Sequence, residues 1–392
     1  MKLFVILSRV PWPLEKGDKL RAYFMIRHLS ERFEITLCCL SDEGPKQEAI
    51  QALSPFCKHI EIIRLNRMAI YGRLCLNLFF GNLPFQVRWF TSNKAKRKIK
   101  KLITQHQPDR IFCQLIRVAE YVKDIPNIPK ILDYMDVFSK GMDRRLNTAP
   151  GYMRPLVNME YKRLLHYEHT VFSQFDERMI ISEQDRNLIV HPEHHKIHVV
   201  INGVDTNFFY PMPHDKDFEL LFNGNMSYPP NVESAEFIVK MVLPLVWKQK
   251  PGVRLLISGT NPSPRVKVLE GKNVVVSGWV EDIRTSFARS RILVAPMQIS
   301  IGLQNKLLEA MAMGIPCITS TLANNALNAP EEECILVADT PEEFAKHILR
   351  LLDHPEDASL MADNALNFVR EHFRWEAVCK QTGDIIEKAG QA

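Results

Sequence analysis

Short apolar runs alternate with helix-length segments along almost the whole chain. This alternation predicts parallel strands joined by crossover helices, because a parallel strand pair needs a long return connection. In the first half the predicted strands are 3–7, 35–40, 60–65, 110–114, 130–133, 178–181 and 197–201. In the second half they are 219–222, 254–258, 274–277, 292–295, 317–320 and 334–337. The pattern therefore predicts an α/β fold with two doubly wound parallel sheets.

The length of the chain also indicates two domains. At 392 residues it exceeds the size at which a single hydrophobic core continues to grow. Asn202 and Gly203, followed by Pro211 and Pro213, interrupt the periodicity and mark a predicted hinge. We predict a first domain over 1–204, a second over 205–373 and a final helical segment over 374–392.

Composition limits the class of protein and the cellular compartment that we expect. The opening apolar run ends at Ser8 and is too short for a secretory signal, and no later run has the ~18 apolar residues that a spanning helix needs. The eight cysteines include no Cys-x-x-Cys pair and no zinc spacing, so we expect reduced cysteines in a cytoplasmic protein. The histidines around His194 lack a paired carboxylate at helical spacing, and we predict no metal site there.

The two halves differ in charge. Residues 1–204 carry 32 Lys+Arg against 21 Asp+Glu, a net of +11, and the remainder carries 18 against 24, a net of −6. The stretch 88–101 has seven cations and no acid, and it follows an apolar, aromatic run over 70–90. Such a surface suits peripheral contact with an anionic membrane. A solvated helix that covers its own sheet is the alternative, and no nucleic-acid recognition motif is visible.

The segment 296–320 carries the clearest chemistry. A predicted strand ends at Pro296, a loop reaches Gly302, and a helix begins near Gln304. The N-terminus of a helix that follows a parallel strand offers unpaired N–H groups to phosphate. Lys306 and Glu309 share one face of that helix. The ammonium can oppose the charge of a diphosphate, and the carboxylate can accept hydrogen bonds from ribose hydroxyls; the alternative is an exposed ion pair without a role.

This segment, GLQNKLLEAMAMG in its central part, resembles the donor-site signature of family 4 retaining glycosyltransferases. The segments NGVDTNFFYP, NGNMSYPPN, VSGWVEDI and FRWEAV are similar to the same family, as are SRVPWPLEKGDKLR and IISEQD more weakly. The resemblance covers most of the chain and is strongest to bacterial surface-polysaccharide sugar transferases. It implies the GT-B fold, two Rossmann-like domains facing across a cleft, with the last helix crossing back to the N-terminal domain.

The resemblance also implies roles in the second domain. Glu309 holds the donor ribose, and Gly302 and Lys306 hold the diphosphate. The other implied donor-binding residues are Asn305, Gly278, Trp279, Val280, Ser227, Asn231 and Gly259. Two departures stand out: Ile301 replaces a second glutamate, and Asn225 to Tyr228 replace an Arg and a Lys of many relatives. Lys306 then carries more of the charge that opposes the diphosphate.

The first domain supplies the predicted acceptor side. Gly17 resembles the glycine-rich turn that faces the donor phosphate, and it is predicted to be catalytic together with Asp136 and Lys306. Asp18 and Arg21 follow Gly17 and are expected to orient acceptor or phosphate, although capping by Asp18 is an equal alternative.

Three further residues are predicted near the carboxyl ends of first-domain strands. Asp133 and Asp136 end one strand, where they could serve as a base, a ligand of an acceptor hydroxyl, a metal site or turn formers. Arg117 stands where many relatives place a histidine.

Together these features predict a glycosyltransferase that moves a sugar from a nucleotide-diphosphate donor to a glycan or lipid-linked acceptor in cell-surface polysaccharide synthesis. The resemblance implies retention of anomeric configuration, and we expect neither a cofactor nor a required metal. Two alternatives remain open at this level. A nucleotide-sugar epimerase shares the architecture, and a non-catalytic nucleotide-sugar-binding subunit would account for Ile301 and the missing cations.

Overall fold

A computed structural model describes residues 1–14, 16–44, 46–297 and 303–391, except for the side chains of residues 147 and 148. The chain forms two compact units. Unit 1 comprises Met1–Ile201 together with Trp375–Ala392, and unit 2 comprises Asn202–Arg374.

The sheet of unit 1 has seven strands within the described residues, in the order β3-β2-β1-β4-β5-β6-β7. Its strands are β1 (Lys2–Leu7), β2 (Glu34–Ser41), β3 (His59–Arg64), β4 (Arg110–Gln114), β5 (Lys130–Asp133), β6 (Glu177–Ile180) and β7 (His198–Val199). Every neighbouring pair is parallel. All seven predicted strands are confirmed, with small differences at their ends, because buried strands are marked by continuous apolar runs.

Helices cover both faces of this sheet. They are α1 (Gly17–Leu29), α2 (Gln47–Leu53), α3 (Arg67–Phe80), α4 (Phe85–Phe90), α5 (Asn93–His106), α6 (Phe138–Thr148), α7 (Arg154–Phe172) and α8 (Glu183–Leu188), and the last helix of the chain, α17 (Trp375–Lys388). One face packs on α3, α4, α5 and α7. The opposite face packs on α1 and α17. Alternate residues of β1, such as Phe4 and Val5, therefore enter different cores.

Unit 2 contains the second parallel sheet, in the order β10-β9-β8-β11-β12-β13. Its strands are β8 (Phe218–Asn223), β9 (Leu255–Ser258), β10 (Val274–Gly278), β11 (Ser290–Ala295), β12 (Cys317–Thr319) and β13 (Leu336–Val337). The strand order reverses direction between β8 and β11. Ligands of open α/β sheets bind beyond the carboxyl ends of strands at such a point.

The helices of unit 2 are α9 (Pro229–Phe237), α10 (Leu243–Gln249), α11 (Pro264–Lys267), α12 (Ile283–Ala288), α13 (Asn305–Ala312), α14 (Thr321–Leu327), α15 (Pro341–Asp353) and α16 (Pro355–His372). A π-helical turn at Ile238–Val242 separates α9 from α10. Pro244 follows directly, and proline lacks the N–H that a regular helix requires. Each unit therefore contains the doubly wound parallel sheet that the sequence predicts.

The chain ends within unit 1. Trp375, at the start of α17, stacks on Phe24 of α1 with ring centroids 5.1 Å apart and an interplanar angle of 7°. Arg32 pairs with Asp384 and Glu387 of α17. In the described part of the chain, each helix is too short or too polar to cross a lipid bilayer.

Candidate active site

The strand ends of unit 2 are brought close together by glycine. The amide of Gly224, just after β8, donates to the carbonyl of Ser258, and the amide of Gly259 donates to the carbonyl of Gly278. A Cβ on Gly259 would lie 1.9 Å from the carbonyl oxygen of Gly224. Gly259 also has φ +136°, a conformation that side chains rarely adopt. Only glycine therefore allows these two chain segments to run side by side at the carboxyl edge.

Lys306 lies in the first turn of α13 and is only 8% exposed. Its Nζ donates to Oδ1 of Asn231 at 2.8 Å and lies 4.5 Å from the ring centroid of Phe222. The Sδ of Met297 is 3.7 Å away. None of these neighbours is an anion. The ammonium is thus surrounded by an amide, a ring and a thioether, with Glu309 as the acid that acts on it electrostatically.

Glu309 is one turn further along α13 and is partly exposed. The side chain of Asn223, at the end of β8, makes a hydrogen bond to its carboxylate. Asn231, in α9, accepts from Lys306 and donates to the carbonyl of Asn225 at 2.9 Å. We call Asn223, Asn231, Lys306 and Glu309 the Lys306 cluster. It joins α13 to the first strand and the first helix of unit 2.

Burial sets the charge state of this cluster. Desolvation lowers the pKa of Lys306 to about 7, and the nearby Glu309 partly opposes that shift. Desolvation also raises the pKa of Glu309 to about 7, while Lys306 and Asn223 oppose it. The two groups titrate as a pair near neutrality. A negative charge near Lys306 would stabilise its protonated form.

The other predicted donor-binding residues border the same edge. Asn305 begins α13, and its Oδ1 is buried without a hydrogen-bond partner among the described residues. Gly278 ends β10 with φ +68°, and Trp279 after it is 66% exposed. Val280 follows in the same loop, and Ser227 bonds to Oδ1 of Asn225. Gly302 lies outside the described residues.

Asn223 is the residue of this site that the sequence did not single out. Its side chain is 4% exposed and its Oδ1 has no partner within the described part of the chain. An asparagine at the end of an apolar strand is a weak signal, because asparagine is also common in ordinary turns. Its importance becomes visible only when β8 is placed beside α13.

In unit 1, Gly17 and Asp18 begin α1. A Cβ on Gly17 would meet nothing within 4 Å, so space is open beside it. Asp18 does not cap the helix; its Oδ2 accepts from Nη1 of Arg9 at 2.7 Å. The carbonyl of Asp18 accepts from the Gln114 side chain at 3.2 Å. Asp18 therefore fastens the loop after β1 to the start of α1.

Arg21 and Asp133 do not present atoms to an acceptor, which corrects the role expected for them. Both side chains have 0% exposure, and Nε of Arg21 lies 2.7 Å from Oδ2 of Asp133. Nη1 of Arg21 also donates to the carbonyl of Ile201 at 3.1 Å. This buried ion pair joins α1 to β5, and the hydrogen bond to Ile201 joins α1 to the segment after β7.

Arg117 and Asp136 lie nearer to solvent. Arg117 donates to Oε1 of Gln86 at 2.9 Å and lies 4.5 Å from the ring centroid of Phe138. Burial lowers the pKa of Arg117 to about 10. Burial also raises the pKa of Asp136, and its Oδ1 has no partner among the residues that the structure describes. Burial raises the pKa of Glu168 to about 7 and the pKa of Asp185 to about 6. The charge of Asp136 adds to both shifts.

A cavity of about 520 Å³ opens at the carboxyl edge of the unit 1 sheet. We call it the unit 1 cavity. Its wall combines cations, namely Arg9, Lys16, Lys19, Lys46 and Arg117, with the aromatic side chains Trp12, Phe85, Trp89 and Phe90. Ser8 and Ser41 mark the ends of β1 and β2 on its wall. Sequence reasoning identified Arg117, the loop 8–21 and the aromatic run 70–90, but not that they share one cavity wall, because these segments lie far apart in the chain.

Residues 217–354 match the family model described as glycosyl transferases group 1. A full-length relative is an uncharacterised 44.6 kDa protein in the cps region of Klebsiella pneumoniae, 21% identical over 95% of this chain and 96% of its own.

Two solved structures share the fold of the whole chain. Sucrose-phosphate synthase of Thermosynechococcus elongatus aligns with a TM-score of 0.71 and 16% identity, over 99% of both chains. HepE of Anabaena, in complex with UDP and glucose, aligns with a TM-score of 0.68 and 14% identity, over 98% of this chain and 99% of its own. The matched family domain in unit 2, which contains the Lys306 cluster, makes this chain an enzyme of the glycosyltransferase class.

Proposed function

We propose that the Lys306 cluster binds the nucleotide diphosphate of an activated sugar and that the enzyme transfers this sugar to a glycan or lipid-linked acceptor in cell-surface polysaccharide synthesis. The observation that carries the proposal is a buried lysine at the N-terminal end of α13 whose Nζ lies 2.8 Å from an asparagine and bonds directly to no carboxylate of the described residues. A buried ammonium in this position gains most from a ligand that brings negative charge.

The roles within the donor follow from the geometry of α13. Lys306 and the first turn of the helix contact the diphosphate, where charge builds up as the sugar leaves. Glu309 accepts hydrogen bonds from ribose hydroxyls, and Asn223 holds its carboxylate in position. The solved structure of HepE contains UDP and glucose, which supports a nucleotide-sugar donor for this chain as well. We propose transfer with retention and without a required metal, with the diphosphate charge balanced by Lys306.

For the acceptor side we propose Gly17, Arg117 and Asp136. Gly17 leaves open space at the start of α1, and Asp136 has a carboxylate oxygen without a partner among the described residues. Burial raises the pKa of Asp136, which suits a group that must accept and return a proton. The cps-region relative in Klebsiella pneumoniae supports a surface polysaccharide as the product.

Peripheral membrane contact is part of the proposal. One face of α3 exposes large apolar side chains at helical spacing, including Met68 at 80%, Tyr71 at 57%, Leu76 at 61%, Phe79 at 70% and Phe80 at 87% exposure. We call this the α3 face. Exposed apolar side chains in such a row are costly in water and are stabilised by the interfacial region of a bilayer.

Helix α5 supplies the charge for the same contact. It buries Ala95, Ile99 and Ile103 on the sheet and turns its cations outward. It packs in the same core as α3, so both helices cover one face of the unit 1 sheet. A helix that covers its own sheet can thus also offer charge to anionic lipid.

The test of the proposal is donor affinity in Glu309→Ala. Calorimetric titration with UDP, the nucleotide seen in HepE, should show binding to the wild-type protein and a loss of roughly 100-fold in the variant, since a charged hydrogen-bond acceptor is removed. Glu342→Ala, an exposed glutamate on α15, is the matched control. Other nucleotide diphosphates extend the titration if UDP does not bind. Unchanged affinity in Glu309→Ala refutes the assignment.

Two further assays separate the alternatives. An epimerase would convert a nucleotide sugar to its isomer without any acceptor. A non-catalytic binding subunit would bind the donor but show neither transfer nor slow hydrolysis.

A further inference from the structure

The unit 1 cavity has an excess of positive charge on its wall. Lys16 and Lys46 are exposed, and neither has an acid within ion-pair distance among the described residues. The two acids on the wall, Asp42 and Glu43, are both paired with Arg67. Arg117 points its guanidinium at a neutral amide and a ring rather than at an acid. The cavity therefore attracts an anion, and its cations converge from three separate loops.

The same cavity has an apolar side. Trp89, Phe90 and Leu74 line it, and Leu74 belongs to α3. On the outer surface Tyr71 contacts Trp89, with ring centroids 5.8 Å apart. The aromatic wall of the cavity is thus continuous with the α3 face. A ligand that joins an anionic group to an apolar chain matches both parts at once.

We infer that the unit 1 cavity binds the phosphate or diphosphate head of a lipid-linked acceptor, with the first part of the apolar chain leaving along Trp89 and the α3 face. This inference rests on the proposed function, because it assigns the acceptor class of the same enzyme. Phosphate oxygens receive hydrogen bonds from Lys16, Lys46 and Arg117. The charged head stays in the cavity while the chain remains in the bilayer that supports α3.

Binding of farnesyl diphosphate tests the inference directly. The titration uses full-length protein carrying Glu309→Ala and Lys306→Ala, so that the nucleotide site no longer competes for diphosphate. We expect saturable binding that weakens at least about tenfold in Lys16→Ala/Lys46→Ala, because each cation donates a charged hydrogen bond. Lys380→Ala/Lys388→Ala removes the same charge from α17 at two exposed positions of unit 1 outside the cavity and should leave the affinity unchanged.

Several outcomes would overturn the inference. Equal weakening by both lysine pairs would mean that only the overall charge of unit 1 attracts the ligand. Equal affinity for inorganic diphosphate would point to a free phosphate ligand instead of a lipid head, and equal affinity for farnesol would show that the cations are irrelevant. Binding that is present in the wild-type protein and absent once Lys306 is replaced would assign the diphosphate to unit 2 alone.

Failure of this inference is distinguishable from failure of the proposed function. The nucleotide titration of Glu309→Ala reports on unit 2, and the farnesyl diphosphate titration reports on unit 1. Either result can stand when the other fails.

Discussion

The carboxyl edges of the two parallel sheets differ in the number and the burial of their positive charges. In unit 2 a single ammonium, 8% exposed, is held by one amide and one ring. In unit 1 several cations line a wide cavity of about 520 Å³, and its lysines reach solvent. A buried charge acts strongly on a ligand because water does not screen it. Each exposed charge contributes little, so several are needed for a comparable effect.

The difference teaches how the two edges gain specificity. The Lys306 cluster is fixed by backbone geometry, because Gly224 and Gly259 approach so closely that no side chain fits between them. In unit 1 the buried ion pair of Arg21 and Asp133 joins α1 to β5, whereas Lys16 and Lys46 on the cavity wall are exposed. We therefore expect substitutions in unit 2 to act through backbone geometry and charge state, and the largest effect in unit 1 to come from loss of its buried ion pair.

The largest effect should come from Asp133→Ala. It removes the carboxylate that pairs with Arg21 at 0% exposure, which costs about 3–5 kcal/mol of folding free energy. Urea unfolding measures this loss. Asp18→Ala, which breaks the more exposed pair with Arg9, is the control and should cost about 0–1 kcal/mol. Similar losses in the two variants would contradict the structural role of Arg21 and Asp133. The double change Arg21→Met/Asp133→Leu should recover much of the stability.

Gly259→Ala should come next. The added Cβ would meet the Gly224 carbonyl at 1.9 Å, so the ends of β8 and β9 must separate. We expect a loss of about 3 kcal/mol in stability together with weaker nucleotide binding, from strain and displacement of the strand ends. Gly252→Ala is the matched control, since a Cβ there meets nothing within 4 Å. A stable Gly259→Ala variant with normal nucleotide affinity would contradict the claim that the close approach of Gly224 and Gly259 fixes the Lys306 cluster.

The pH dependence of donor binding should distinguish the Lys306 cluster from the unit 1 cavity. The pKa of Lys306 is lowered to about 7, so the ammonium loses its proton as the pH rises through neutrality. Donor affinity should then fall by up to about tenfold per pH unit in the alkaline range. Below pH 7 Glu309, with its pKa raised to about 7, gains a proton and becomes a poorer acceptor. We expect an affinity maximum near neutrality by calorimetry.

Lys306→Arg should abolish the alkaline fall, because a guanidinium keeps its charge throughout this range. Farnesyl diphosphate binding to the unit 1 cavity provides the internal comparison. This binding does not involve Lys306, so its affinity should lack the alkaline fall that the Lys306 cluster produces. If both affinities fell with the same slope above pH 7, the Lys306 cluster and the unit 1 cavity would not differ in pH dependence, and the prediction would be wrong.

The smallest effect should come from the α3 face. Phe79→Ser/Phe80→Ser removes two side chains that are 70% and 87% exposed, so folding stability should hardly change. Flotation with vesicles containing phosphatidylglycerol should fall roughly fivefold, because apolar area no longer enters the bilayer. Leu360→Ser on α16 of unit 2, at 63% exposure, is the control. Wild-type protein that shows no preference for anionic vesicles would refute the membrane contact itself.

Much of the architecture was predictable from local pattern. Apolar runs identified the strands of both sheets, and the segment after Pro296 placed Lys306 and Glu309 on one face of a helix beyond a strand. These inferences worked because strand burial and helical spacing are encoded within a few neighbouring residues. The sequence also indicated the glycosyltransferase class through the same segment, which the family match over 217–354 contains.

Other features depend on contacts that no local pattern encodes. Arg21 meets Asp133 across 112 positions of sequence, and that contact turns two expected acceptor residues into a buried support. Asn223 reaches Glu309 only because β8 lies beside α13, and the unit 1 cavity gathers cations from several loops. The sequence by itself determined which segments become strands and helices and which charges end them. The tertiary structure alone decided which of those charges meet each other and which remain available to a ligand, because desolvation and pairing depend on neighbours that are distant in the chain.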